Sequence, residues 1–264
     1  MRLFPFALIF PLLSTLLTAV EVTDLTCRDG DLTLTGRLAR PAGAGPFPAV
    51  LVVHEWWGRN AYAERRAKEL AEQGYVALAA DCYGAPASLD FPTAVERSKP
   101  FYTDPGLFVR RLAPALAALR AQPGVDGAKV SAIGFCFGGS AVLQLAREGL
   151  DLKGVVSFHG GLKSGAPAKA GAVKARILVA HGGADPFVPP ADVAGFAQEM
   201  LAAGADWTFL SVPGAVHAFS NPESGLGVTN VPAGVPFAAA AHYDANAEAR
   251  SLTAMKAFLA DVSR

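Results

Sequence analysis

Six short runs dominated by apolar residues recur along this chain, at residues 49–54, 75–80, 130–134, 154–158, 177–180 and 207–212. A strand with one wet face alternates polar and apolar residues, whereas a continuous apolar run fits a strand buried on both faces. The intervening stretches carry helical spacing. Ala63, Ala67, Leu70 and Ala71 form one stripe, with Asn60 placed to cap it and Gly74 to end it. Further helices are predicted over residues 138–148 and 191–203. A last one starts at Asp244 and carries Leu252, Met255, Phe258, Leu259 and Val262 on one face. Asp104-Pro105 is a helix start leading to Leu112, Leu116 and Leu119, and Pro114 inside that helix predicts a kink or break. Buried strands alternating with helices specify a mostly parallel, doubly wound α/β sheet. Ahead of them, residues 22–27 and 32–38 alternate and are joined by Arg28-Asp29-Gly30-Asp31. This hairpin signal adds antiparallel strands at one edge. Residues 84–103 and 220–243 are long and poorly periodic, and read as loops that either cover a site or are surface excursions.

Composition narrows the function. Among 264 residues, 23 Lys and Arg balance 23 Asp and Glu, which argues against a nucleic-acid binder, since that needs a basic stripe to displace counterions. The 52% apolar content excludes whole-chain disorder. Part of that content is the leading MRLFPFALIFPLLSTLLTAV, in which one Arg precedes an apolar run ending in small residues. This predicts a signal peptide over residues 1–19, cleaved after Ala19, and export to a periplasmic or secreted location. Pro5, Pro11 and the hydroxyls of Ser14, Thr15 and Thr18 argue against a stable membrane span. Residues 20–264 read as a single domain, and nothing in them assigns an oligomeric state.

The three cysteines, Cys27, Cys82 and Cys136, include no CxxC pair, so zinc ribbons and thioredoxin-like motifs find no support. The odd count leaves a free thiol or an intermolecular bridge. A Cys27–Cys82 pair would leave Cys136 free. No H-E-x-x-H helix is present, and neither metal nor organic cofactor is expected.

The segment richest in chemistry is Val130-Ser131-Ala132-Ile133-Gly134-Phe135-Cys136-Phe137-Gly138-Gly139. A buried strand enters Gly-x-Cys-x-Gly-Gly and a helix follows, which is the form of a nucleophile elbow with Cys in the usual Ser place. The turn is so tight that its neighbours must lack a Cβ. It presents the side chain above the sheet at a helix N-terminus, where free N–H groups favour a thiolate and a later oxyanion. The bland alternatives are a phosphate loop, whose second glycine is absent here, and a small buried cysteine. Downstream, Asp185 follows the run at 177–180 and His217 follows the run at 207–212. That order, nucleophile then acid then histidine, is the one an α/β-hydrolase requires. Both would lie at the carboxyl edge of the sheet, with Asp185 orienting the imidazole and His217 moving the proton. His54 and His181 also end strands and read as residues that only pack or hydrogen-bond near the site, His159 is another strand-end residue, and His242 lies in the second long stretch.

Four segments together resemble the dienelactone hydrolase family of α/β-hydrolases: His54-Glu55-Trp56-Trp57-Gly58, Gly134-Phe135-Cys136-Phe137-Gly138-Gly139, His181-Gly182-Gly183-Ala184-Asp185-Pro186-Phe187-Val188-Pro189 and His217-Ala218-Phe219. The resemblance covers nearly all of the chain after the leader. It implies a Cys136–His217–Asp185 triad, and a Glu55 that contacts the resting thiol and takes its proton when substrate binds. Without the family, Glu55 reads equally as an ion-pair partner of Arg59. The resemblance also implies an oxyanion hole of the Phe137 and Trp56 N–H groups, and substrate contacts from Trp57, Arg97 and Phe219. Family members that take up a substrate carboxylate carry an arginine shortly after the histidine. Here that stretch is Ala218-Phe219-Ser220-Asn221-Pro222. The expected activity is hydrolysis of small esters or lactones through a thioester, not selective for dienelactone. The competing readings are a non-catalytic ligand-binding protein on the same fold and a redox-sensing thiol at Cys136.

Overall fold

A computed structural model of the chain describes residues 19–84, 88–224, 230, 234 and 237–264. The expected leader falls almost wholly outside the described residues, as does part of the 220–243 stretch. In chain order the elements are β1 (Glu21–Asp29), β2 (Leu32–Arg40), β3 (Phe47–Val53), α1 (Ala61–Glu72), β4 (Val76–Ala80), α2 (Phe91–Thr103), α3 (Gly106–Arg120), β5 (Val125–Phe135), α4 (Phe137–Arg147), β6 (Gly154–Phe158), β7 (Arg176–Gly182), α5 (Pro190–Ala203), β8 (Trp207–Val212), α6 (Phe237–Ala240) and α7 (Ala245–Val262).

The strands form one sheet in the order β1-β2-β4-β3-β5-β6-β7-β8. From β4 to β8 every pairing is parallel, while β1 on β2 and β2 on β4 are antiparallel. The expected hairpin therefore forms the antiparallel edge, turning at Gly30 with φ 58°. From β3 the chain steps outward to β4, then returns across the sheet to β5 and proceeds the other way. The reversal opens a crevice between the carboxyl ends of β3 and β5, where open α/β sheets bind their ligands.

Alternate residues of the central strands face opposite layers, which is why their sequence is apolar throughout. Leu51, Val53, Leu78 and Ala132 pack with Leu112 and Leu116 of α3 and Leu143 of α4. Val50, Val52, Ala77, Ile133 and Phe135 pack on the other side with Leu70 of α1 and Met255 and Leu259 of α7. Asn60 caps α1, accepting from the Ala63 N–H at 3.3 Å, and Asp244 caps α7 through Asn246 and Ala247.

Two expectations need correction. Pro114 does not break its helix: α3 runs unbroken from Gly106 to Arg120. The proline removes one backbone hydrogen bond, but Phe108, Leu112, Ala115, Leu116 and Leu119 hold the helix on the core from both sides of it. The stretch at 84–103 is not a loop throughout, because α2 occupies Phe91–Thr103. Asp90 caps it through the Thr93 N–H at 3.1 Å, and Pro92 falls in the first turn, where a missing N–H costs nothing.

All three cysteines are free thiols. Cys27 lies opposite Leu34 on β2, and the β2–β4 register carries Cys82 to the far side of β2. Two strand spacings are about 10 Å, beyond the reach of a disulfide.

Candidate active site

Cys136 joins β5 to α4 at φ 53°, ψ −115°, a conformation that side-chain-bearing residues avoid. Its neighbours explain how the turn is possible. A Cβ on Gly134 would strike the Gly138 carbonyl, and one on Gly138 would strike the carbonyls of Val53 and His54. One on Gly139 would come within 2.7 Å of Gly160 Cα. The glycines thus let α4 seat directly against the ends of β3 and β6. That contact sets the turn carrying Trp56 beside the first residue of α4, Phe137. As first helical residue, Phe137 has no carbonyl one turn earlier to receive its N–H. The neighbouring turn closes from Gly58 N–H to Glu55 O, leaving the Trp56 N–H outside it.

The loops after β7 and β8 supply the next two groups. His217 Nδ1 donates to Asp185 Oδ2 at 2.8 Å, and both residues are buried. His217 and Cys136 line the same cleft. Burial disfavours the charged imidazole, but the Cys136 sulfur and the Asp185 carboxylate outweigh it and push His217 up to about 10. Asp185 is itself held by the Phe187 N–H at 2.8 Å. The structure therefore brings Cys136, His217 and Asp185 together at the carboxyl edge of the sheet.

Glu55 is 2% exposed, at the end of β3. Arg59 pairs with Glu64, so the ion-pair reading of Glu55 does not hold. Its carboxylate accepts instead from Asn221 Nδ2 at 2.7 Å. Burial pushes its pKa up to about 7, against the opposing pull of Asn221 and His217. Cys136 shares its cleft with His217, and among the described residues no hydrogen bond joins it to Glu55.

A cleft of about 530 Å³ opens over Cys136 and His217. One wall is a single face of α2, formed by Phe91, Val95, Ser98, Lys99 and Tyr102; Trp56, Gly161, Phe187, Val188 and Phe237 complete the enclosure. Trp57 stands behind this wall, 4.8 Å from Trp56 and 5.7 Å from Phe237 between ring centroids. Arg97 is exposed on α2 and is not part of the lining; the cation that reaches the cleft is Lys99. Phe219 is fully buried under the site, its ring 5.1 Å from that of His159. Among the described residues no three His, Cys, Asp or Glu side chains are grouped to hold a metal ion, and no helix is long and apolar enough to cross a membrane.

Sequence reasoning missed Asn221 and the α2 wall. Asn221 lies four residues after His217, in a stretch read only for its lack of arginine. Phe91, Val95, Ser98 and Tyr102 repeat at helical spacing, a signal obscured by Pro92 and Pro100.

The sheet, its switch point and the elbow define an α/β-hydrolase. The chain belongs to the dienelactone hydrolase family, whose model matches residues 34–263, and it is accordingly a hydrolase. An uncharacterized protein of Caenorhabditis elegans is 42% identical to it, over 56% of this chain and 90% of that protein. A carboxymethylenebutenolidase of Pseudomonas putida is 30% identical, over 58% of this chain and 67% of that enzyme. A crystal structure of a dienelactone hydrolase-like promiscuous phosphotriesterase from metagenomic libraries superposes with a TM-score of 0.84. It is 38% identical, covering 92% of this chain and 99% of that one.

Proposed function

We propose that this chain hydrolyses small carboxylic esters or lactones through a Cys136 thioester. The observation that carries the reading is the grouping of Cys136, His217 and Asp185, with the 2.8 Å bond from His217 to Asp185 on one side and the elbow on the other. His217 takes the thiol proton as Cys136 Sγ attacks the carbonyl carbon. The tetrahedral oxyanion is received by the Phe137 and Trp56 N–H groups, each such donor being worth roughly 3 kcal/mol. Collapse expels the alkoxide, which leaves as the alcohol with the proton from His217, and the acyl group stays on sulfur. Water, deprotonated by His217, then attacks the thioester and the acid departs, with the thiol restored. Glu55, pushed up to about 7 by burial beside Asn221, is the group suited to take the thiol proton ahead of the attack when substrate binds, in which case an already charged His217 protonates the alcohol and Glu55 returns the proton to sulfur at the end of the cycle.

The cleft supports a substrate preference. Its walls are mostly aromatic and aliphatic, and among the described residues no arginine lines it to fork onto a carboxylate. Neutral esters with an aromatic or branched acyl or alcohol group fit this lining better than a dicarboxylate-like lactone. The same lining suits neutral phosphotriesters, the substrate class of the phosphotriesterase to which the chain is similar. The composition of residues 1–19 supports export, and N-terminal sequencing of the processed protein should begin at Val20.

The test is turnover of a panel of neutral aryl esters, lactones and aryl phosphotriesters by the wild type and by Cys136→Ala. The variant should fold and lose at least about a thousandfold in kcat. Rapid quenching of the wild type should reveal an acyl adduct on the Cys136 peptide by mass spectrometry. Turnover that survives Cys136→Ala would assign the chemistry to another group.

A further inference from the structure

Beneath the cleft a row of hydrogen bonds leads from the backbone of Cys136 into the interior. The Cys136 N–H is shared between Phe158 O at 3.0 Å and His159 Nδ1 at 3.1 Å. A backbone amide only donates, so Nδ1 is the acceptor and the neutral ring carries its proton on Nε2. That proton points to Ser220 Oγ at 2.8 Å. Ser220 Oγ lies 2.9 Å from the Tyr62 hydroxyl, and Tyr62 donates to the Ser220 carbonyl at 3.0 Å. Arg66 donates to the same carbonyl at 3.0 Å and is anchored by Glu69 and Glu248. His159, Ser220, Tyr62 and Arg66 are all buried.

A histidine so deep in the core is costly unless both ring nitrogens are used, and here both are. The rings of Phe219 and His217 pack against it at steep angles, each with its centroid 5.1 Å away. Burial, aided by the neighbouring His217, holds His159 well below the usual imidazole range, so Nδ1 stays an acceptor. Ser220 and Phe219 both belong to the segment that begins with His217. One ring therefore touches the nucleophile's amide on one side and the base's loop on the other. The Cys136 backbone needs such a hold, since a residue in this region of φ and ψ stores on the order of 1–3 kcal/mol.

We infer that His159 is a positioning residue, whose Nδ1 fixes the amide of Cys136 in the elbow and whose Nε2, through Ser220, locks that elbow to the loop carrying His217. The inference rests on Cys136 being the reacting thiol. Its effect is to keep Sγ and the His217 imidazole in register for proton transfer.

Alkylation by iodoacetamide, followed on the Cys136 peptide by mass spectrometry, reads this without any ester. His159→Asn keeps an acceptor where Nδ1 stood. His159→Gln reaches Ser220 but not the amide, and His159→Leu fills the space with neither bond. At pH 7 the Leu and Gln variants should alkylate about tenfold more slowly than wild type, and the Asn variant within about threefold of it. At pH 10, where activation is no longer needed, all should converge. Ester kcat should follow the same ranking, with KM within about twofold. If the Leu variant does not fold, the Asn–Gln contrast decides alone. Equal rates in all variants at pH 7 would overturn the inference, as would Asn and Leu losses that match and track a common fall in Tm. Ester turnover surviving Cys136→Ala would refute the thioester mechanism instead, and would leave the alkylation pattern to be judged on its own.

Discussion

The conformation of Cys136 is set by the residues around it that have no side chain. Gly138 makes the point best, because an added methyl would meet two backbone carbonyls, Val53 and His54, that belong to a central strand and its end and cannot swing aside. Gly138→Ala should therefore cost about 3 kcal/mol, at the upper end of overpacking, seen as a lower urea midpoint with an unchanged m-value. Gly195→Ala, in open space on α5, should be neutral or slightly stabilising in the same assay. At this scale the sequence was legible wherever the pattern is local. The elbow is written within six residues, 134–139, and Asp185 and His217 each follow a strand directly. The supporting contacts were not legible, since His159 meets Ser220 across 61 positions and Glu55 meets Asn221 across 166. No periodicity in a single chain encodes a polar contact made across such a separation.

Among the elements, α2 supplies one whole wall of the cleft. Phe91, Val95, Ser98 and Tyr102 share one face, with Lys99 at its margin, while Arg97 points to solvent. Its two prolines hid it from a reading based on propensity, yet Pro92 sits in the first turn and Pro100 near the last, so the helix between them is intact. Pro114 in α3 misled in the same way: burial of the helix face outweighs a local penalty of roughly 3 kcal/mol. The placement of the α2 cations yields a direct contrast. For paired esters differing only by a carboxylate on the acyl group, Lys99→Ala should lower kcat/KM for the anionic member about fivefold and leave the neutral one within twofold. Arg97→Ala should change neither. An Arg97→Ala effect confined to the anionic ester would place that side chain in the cleft and return the family's carboxylate-reading role to it.

Across the whole molecule, the buried acid at the sheet's switch point links the site to global stability. Glu55 titrates at about 7 in the fold against 4.5 for a free glutamate, because burial penalises its charge more than Asn221 and His217 relieve it. Between those two values the folded chain holds a proton that the unfolded chain has released. Stability gained per pH unit follows the protons bound by the unfolded state minus those bound by the folded one, which is negative here, so this group makes stability fall as pH rises from about 4.5 to 7. At roughly 1.4 kcal/mol per unit, the loss is about 2–3 kcal/mol between pH 5 and pH 8. Surface carboxylates such as Asp104 and Asp261, held below the usual range by Arg110 and Arg176, act with the opposite sign and at lower pH. Subtracting the wild-type urea stability from that of Glu55→Gln removes these shared contributions. The glutamine is neutral throughout and still offers Asn221 an acceptor. The two proteins should be nearly equal at pH 5, and the variant should be the more stable by about 2–3 kcal/mol at pH 8. A difference that stays flat from pH 5 to 8 would mean that Glu55 is already ionised in the folded chain at pH 5, too weak a base to take a thiol's proton, and with it would go that part of the proposed mechanism.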